Sequence, residues 1–297
     1  MTLAPPDGLL VLDKPGGVTS RHAVDRALRW FPRGTRIGHT GTLDPLATGV
    51  LVLCLGAATR LAEYVQRMPK TYRAGLRLGA RSDTDDADGT VTPVEAAVAP
   101  DAAALAARLA DFLGEIAQTP PAYSAAKVAG RRAYDMARAG RTVELRPRAV
   151  HVHGIDVLKY DYPWLDLKVR CGKGTYIRSL ARDLGERLGC GALVQTLRRT
   201  RVGPFAAEDA VPPDADAAAA RVRMRPVEDA VTDLPRVVLD ETAVRILCRG
   251  GTVRPTGTVL REGEAAVFDR ANQLVAIGFW STGRQVMWPE KVLRRGP

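Results

Sequence analysis

The segment Gly38-His39-Thr40-Gly41-Thr42-Leu43-Asp44-Pro45-Leu46-Ala47-Thr48-Gly49 constrains this chain more than any other. It holds one carboxylate, Asp44, in a stretch punctuated by Gly41, Pro45 and Gly49. It leads straight into the apolar run Val50-Leu51-Val52-Leu53-Cys54-Leu55. Glycines permit tight turns and close approach of a ligand to the backbone. A rigid strand beside a loop carrying a lone acid is one way a scaffold presents a nucleophile or general base. An Asp before Pro also serves as a plain turn or capping residue, and spacing alone leaves both readings open.

Charge points to the partner. The 297 residues carry 43 Lys and Arg against 33 Asp and Glu, a formal +10. The excess is concentrated in two blocks. Residues 1–75 hold ten basic and five acidic side chains, and residues 127–148 hold seven basic and two acidic ones. Such blocks suit a polyanion and a salt-sensitive contact with phosphates. The length allows one large domain or two ordinary ones. Cys54, Cys171, Cys190 and Cys248 are scattered and form no CxxC pair, so we expect core thiols in a reducing compartment rather than a zinc site. The four histidines lie at 22, 39, 151 and 153, with no carboxylate spaced as a co-ligand. The first residues have no basic region followed by an apolar run, and no stretch reaches about 18 uninterrupted apolar residues. The expectation is a cytoplasmic protein without membrane insertion.

The local pattern outlines the elements. Gly8–Pro15 reads as a short buried strand, and Ser20 as the cap of a helix carrying Ala23, Val24, Ala27, Leu28 and Trp30. A helix is predicted over 59–66, a strand over 71–78, and an acidic loop over 82–89. Residues 96–118 are alanine-rich, with Leu105, Leu109, Phe112 and Leu113 at helical spacing. Prolines 120 and 121 interrupt regular structure. Residues 131–140 suggest a short basic helix, 151–171 recurrent strands, and 175–188 an amphipathic helix with Ile177, Leu180, Ala181, Leu184 and Leu188 on one face. The Ala, Asp and Pro-rich stretch 206–234 reads as a linker with short helices, and 235–297 as a small β domain. Thr84–Gly89 with Glu95 approaches a calcium-loop pattern, but Thr84 stands where Asp is required and the neighbouring strand pattern offers no helix–loop–helix frame. Gly172-Lys173-Gly174-Thr175 is not a phosphate loop, because Leu167 stands where the first glycine belongs.

The Gly38–Gly49 segment closely resembles the catalytic loop of TruB-type pseudouridine synthases, whose consensus reads near GHTGTLDPxATGxL. Three further motifs follow in family order. Lys70-Thr71-Tyr72 resembles the K-x-Y motif, Thr84–Gly89 the D-T-x-D-A-x-G stretch, and Gly174-Thr175-Tyr176-Ile177-Arg178-Ser179 the G-T-Y-I-R-S motif. The resemblance covers most of residues 8–205. It implies an α+β pseudouridine synthase core with a mixed, mostly antiparallel sheet, over residues 1–230. It also implies an RNA-binding insertion at about 120–148 and a PUA-like RNA-binding domain over 235–297. By this resemblance Asp44 is the catalytic carboxylate, Arg178 pairs with it, and Tyr72 lies over the flipped uracil. Tyr176 and Leu197 line the uracil site, and His39 contacts RNA near the flipped nucleotide. Lys127, Arg131, Arg132, Arg138 and Arg141 fall in the RNA-contacting insertion. The implied activity is conversion of uridine 55 in the T loop of tRNA to pseudouridine, by a monomer with no metal or organic cofactor. Alternatives are a relative acting on another RNA, or a tRNA-folding chaperone without turnover. Whether Asp44 attacks the base or acts at the ribose stays open.

Overall fold

The structure, a computed structural model, describes residues 6–95, 98–124, 145–255 and 261–293, together with the backbone of 127–128 and 131–132. The chain opens with β1 (Gly8–Lys14), α1 (Ser20–Leu28), β2 (Ile37–His39) and β3 (Thr48–Leu55). A 3₁₀ turn, Gly56–Leu61, runs into α2 (Ala62–Arg67), followed by β4 (Lys70–Leu78), β5 (Ala80–Ser82), β6 (Val91–Pro93), α3 (Ala102–Ala110) and β7 (Gly114–Gln118). The short β8 (Lys127–Val128) and β9 (Arg131–Arg132) precede β10 (Arg148–Asp161), β11 (Trp164–Cys171), α4 (Ile177–Arg187), β12 (Ala192–Val202) and β13 (Phe205–Ala206). The last elements are α5 (Ala217–Val222), β14 (Arg236–Val238), α6 (Glu241–Cys248), β15 (Gly263–Phe268), β16 (Leu274–Ser281) and β17 (Val286–Val292).

The main sheet runs β1-β3-β12-β4-β11-β10-β7, with β2 added on β3 and β13 on β12. Only β12 and β3 pair in parallel; its other pairs are antiparallel. The mixed, mostly antiparallel α+β fold expected from the resemblance is therefore the observed one. Residue pattern explains each strand's place. In β3 every residue from Gly49 to Leu55 is buried, as a strand covered on both faces requires. In β11, Leu165, Leu167, Val169 and Cys171 are buried, whereas Trp164, Asp166, Lys168 and Arg170 are exposed, so one face there meets solvent. Against the buried face lies α4, whose Leu180 and Leu184 have no exposed surface. Each such leucine contributes roughly 1.5–3 kcal/mol by leaving water. The helix α1 packs its Ala23, Val24 and Ala27 on Leu51 and Leu53 of β3.

Several local expectations shift. Thr19, not Ser20, caps α1: the Thr19 side chain accepts from the His22 amide, while the buried Ser20 hydroxyl is used elsewhere. The predicted helix at 59–66 begins as the 3₁₀ turn. The alanine-rich helix ends at Ala110, and 114–118 becomes a strand because pairing with β10 outweighs the helical pattern. Arg131–Arg132 pair with Lys127–Val128 as strands rather than opening a helix; 133–140 lie outside the described residues. Residues 206–234 are packed, not a loose linker. Val211 and Arg225 bridge to Leu12 and Leu9 of β1, and Ala220, Ala230 and Val231 are buried. The C-terminal part forms its own sheet, β14-β15-β16-β17, and carries α6, which the β-like pattern did not announce. Phe268, Leu274 and Ile277 of that sheet join a cluster with Leu9, Val52, Val65 and Met68. Around the seam, Tyr64 donates to Glu264 at 2.7 Å and Arg67 meets Glu264 at 2.6 Å. Exposed pairs of this kind contribute only about 0–1 kcal/mol, so the apolar cluster carries the docking.

Gly49 is a point where two backbones meet closely. Its φ is 98°, and a Cβ there would lie 2.2 Å from the Arg199 carbonyl oxygen of the neighbouring strand. Gly49→Ala should destabilise the protein by about 2–4 kcal/mol, combining backbone strain with a clash that cannot relax. Urea unfolding of the two proteins measures this; a loss under about 1 kcal/mol contradicts it.

Candidate active site

The Asp44 loop is held from several directions. Ser20 Oγ accepts from the Leu43 amide at 2.8 Å and lies 3.0 Å from the Leu43 carbonyl, to which it can donate. Lys14, fully buried, donates to the carbonyls of Pro15, Val18 and Pro45, and Gly17 N donates to Pro45 O at 2.9 Å. Arg199, buried on β12, donates Nη2 to Gly41 O at 3.0 Å and Nε to Val50 O at 2.7 Å. The loop closes on itself through Ala47 N to Asp44 O at 3.1 Å. Together these ties leave the Asp44 side chain a defined direction.

That direction is toward Arg178, in the first turn of α4. Arg178 Nη2 donates to Asp44 Oδ1 at 2.9 Å, and Nε lies 2.9 Å from Oδ2. The remaining donors of the guanidinium are also occupied. Nη1 donates to Thr84 O at 3.0 Å and lies 3.3 Å from Asp86 Oδ2, and Nη2 donates to Tyr123 O at 2.9 Å. Asp86 is itself fixed: its Oδ1 accepts from Thr84 Oγ1 at 2.6 Å and from Asp88 N at 3.1 Å. So the acidic loop over 82–89 is a seat for Arg178. A cation near a helix N-terminus is mildly disfavoured by the dipole, and two carboxylates outweigh that effect.

A cavity of about 440 Å³ opens over this pair. Asp44 sits deep, yet 34% of its side-chain surface still faces the opening. Tyr72, Tyr176, Ile177 and Leu197 supply apolar and aromatic wall, and His39, Lys70 and Arg199 polar wall. Tyr176 is positioned by a reciprocal pair with the buried Gln118 amide, N to Oε1 at 2.8 Å and Nε2 to O at 3.0 Å. Burial pushes the Asp44 carboxyl above the ordinary carboxylate range, against the pull of Arg178 and with a further push from Asp86. Water in the open cavity moderates this, and a ligand that displaces the water sharpens it. Burial also lowers Lys70 to about 8, and raises the Tyr72 phenol against the neighbouring Arg199 guanidinium. Among the described residues no group of three or more His, Cys, Asp and Glu is arranged to hold a metal.

The structure thus brings His39, Asp44, Tyr72, Tyr176, Arg178 and Leu197 to one cavity, from β2, the Asp44 loop, β4, the loop before α4, α4 and β12. Lys127, Arg131 and Arg132 are described by backbone alone, and Arg138 and Arg141 lie outside the described residues. The sequence reading missed Arg199 and Gln118, and gave Lys70 only as part of the K-x-Y motif with no place in the site. For Arg199 a signal existed: Leu197 and Arg199 are two apart on a strand, so a Leu197 facing the cavity puts Arg199 on the same face. In the run Arg198-Arg199-Thr200-Arg201 its residue type does not set it apart from its neighbours.

A pseudouridine synthase is the class that this mixed sheet, its aromatic-walled cavity and its single carboxylate held by an arginine define. Comparison with known proteins agrees. The family described as TruB family pseudouridylate synthase (N terminal domain) matches residues 29–177, and tRNA pseudouridylate synthase B C-terminal domain matches 178–234. The tRNA pseudouridine synthase B of Burkholderia mallei (strain NCTC 10247) is 41% identical over 299 residues, covering 98% of each chain. Its counterpart from Chromohalobacter salexigens is 44% identical over 250 residues, covering 83% of this chain and 81% of that one. A solved H/ACA RNP bound to a substrate RNA containing 2'-deoxyuridine superposes with a TM-score of 0.74 at 25% identity, covering 97% of this chain and 86% of that one. The chain belongs to the TruB family of pseudouridylate synthases.

Arg199 gives a test of the loop's anchoring. Arg199→Met removes the donors to two inward carbonyls, Gly41 and Val50, and should cost about 2–4 kcal/mol in chemical denaturation. Arg199→Lys should recover only part, because one ammonium cannot span both acceptors as the fork does.

Proposed function

We propose that this enzyme converts the uridine at position 55, in the T loop of tRNA, to pseudouridine, with Asp44 as the catalytic residue. The observation that carries the reading is the ionic grip of Arg178 on Asp44 at the floor of a cavity walled by Tyr72, Tyr176 and Leu197. The reaction breaks the bond from N1 of uracil to the ribose C1′ and forms one from C5 to C1′. C5 gives up its hydrogen to solvent, and N1 gains a proton. No electron or group donor is required. The base must leave its stack to reach Asp44, and unstacking costs a few kcal/mol. Tyr72 offers a π face to the everted uracil, a contact of roughly 1–3 kcal/mol. Leu197 and Ile177 exclude water on the other sides, and His39 meets the RNA beside the flipped nucleotide. An ionised Asp44 serves both chemical routes, attack on the base or action at the ribose. Arg178 keeps it ionised and aimed.

The rest of the chain fits around this role. Residues 1–230 act as the catalytic domain, and the basic insertion at about 120–148, with Lys127, Arg131, Arg132, Arg138 and Arg141, grips the RNA by its phosphates. Residues 235–297 act as a PUA-like RNA-binding domain. The enzyme works as a cytoplasmic monomer on the T stem-loop, without metal or organic cofactor. No helix among the described residues is long and apolar enough to cross a membrane.

Tritium release from C5-labelled uridine in unmodified tRNA tests the assignment. The wild type should release label, and Asp44→Asn should not, at retained tRNA affinity. Equal release by both proteins removes Asp44 from the mechanism. The pH profile is a second check. Because the Asp44 pKa is raised, the active anion is lost earlier as pH falls. Turnover should therefore decline through an apparent pKa above the ordinary value of about 3.9. A profile flat down to about pH 4 contradicts this.

A further inference from the structure

We infer that the outward face of the main sheet, opposite to the face bearing Tyr72, is a second RNA-backbone surface, formed by Arg73, Lys168, Arg170, Arg198 and Arg201. The inference rests on the RNA-modifying role proposed above. Strand register builds the surface. Arg198 of β12 stands opposite Arg73 of β4, and Arg73 stands opposite Lys168 of β11. In the next row, Arg201 and Arg170 flank Thr71 from its two sides. Residues directly opposite in an antiparallel pair project to the same face, so these five cations lie in two adjacent rows across three strands.

The rows are placed against electrostatic cost. Like charges directly opposite on neighbouring strands destabilise a sheet, and here two such pairs share Arg73. Acidic neighbours offset only part of it. Asp13 takes Arg198 in a two-pronged pair at 3.0 and 2.9 Å, and Asp156 lies 3.7 Å from Lys168. Among the described residues no acid pairs with Arg73, Arg170 or Arg201, and all three are exposed. A sheet face built this way is satisfied by an external polyanion. The strip has depth as well as charge. A cavity of about 480 Å³, walled by Arg73, Arg198, Gly75, Thr196, Asp166 and Leu158, opens within it. It also reaches the edge nearest the active site: Thr71 and Arg170 adjoin the paired Lys70 and Cys171, and Lys70 and Gly172, which follows Cys171, line the Asp44 cavity. RNA whose target nucleotide enters the catalytic cavity can continue around that edge onto the strip.

The occupant is RNA phosphate, and the readout is salt dependence. Each phosphate contact contributes about 0.7–0.9 to the slope of log K against log salt concentration. The triple variant Arg73→Gln/Arg170→Gln/Arg201→Gln should bind full-length tRNA at least about tenfold more weakly at 150 mM salt, with a slope smaller by about 2. The matching triple Arg→Lys variant, which keeps charge, should retain most of the slope; this separates phosphate binding from a structural effect of losing the arginines. A slope unchanged in the Gln variant overturns the inference and leaves an acidic protein partner as the alternative occupant. Tritium release by the wild type on the same tRNA keeps the two readings apart. A wild type with no turnover on any RNA, but a slope that still drops in the Gln variant, fells the activity and leaves the strip standing.

Discussion

One guanidinium shared between two carboxylates organises this protein. Arg178 is 4% exposed and meets both Asp44 and Asp86, so the site holds one more negative charge than positive among these three groups. Taking such charges out of water costs several kcal/mol per ion, and the attraction repays this only when the remaining donors are satisfied. Here Thr84 O and Tyr123 O take the Nη1 and Nη2 donors, while Nε lies 2.9 Å from Asp44 Oδ2 without a hydrogen bond. Replacing the trio by well-packed apolar side chains would make a fold at least as stable. What the trio supplies is an arginine that opposes the neutral acid which burial favours at Asp44. Asp86 pushes Asp44 toward protonation while holding the arginine that opposes it. The net effect is a raised Asp44 pKa, with the carboxylate still gripped by Arg178.

Such a group is useful only if it does not move. The loop around it is tied to α1 through Ser20, to β1 through Lys14, and to β12 through Arg199, and it is closed by a glycine at which no side chain fits. These anchors lie far apart in sequence, so the loop is rigid only once the sheet has assembled. Positioning of this sort converts folding energy into a fixed geometry at the reacting centre, where an error of about 1 Å is expensive.

Much of this was legible in the chain itself, and the remainder was not, for identifiable reasons. The run Val50 to Leu55 announced an apolar strand, and the spacing Ile177, Leu180, Ala181, Leu184 announced α4 with its face. Local periodicity suffices where one element decides its own environment. Glycines and prolines around Asp44 marked a loop with a task. By contrast, Ser20 looked like a cap, because its partner Leu43 is 23 residues away and no local pattern encodes that contact. Arg199 was missed for the same reason, since its acceptors Gly41 and Val50 lie on distant segments. Residues 114–118 followed a helical pattern but pair with β10, a partner 30 or more residues further on. The helix α6 was hidden among β-like runs.

The strand β4 shows how much depends on register. Lys70 and Tyr72 point to the Asp44 cavity, while Thr71 and Arg73 point to the outward face. Alternation with a period of two makes these assignments inseparable: a slip by one residue would send Arg73 into the cavity and Tyr72 into solvent. The register is held on both sides, by Leu165, Leu167 and Val169 of β11 and by Leu197 of β12, whose apolar side chains have only one face on which to hide. The hydrophobic core beneath α4 therefore does more than stabilise the domain. By forbidding the slip, it sorts the residues of a single strand into one set that faces the Asp44 cavity and another that faces outward.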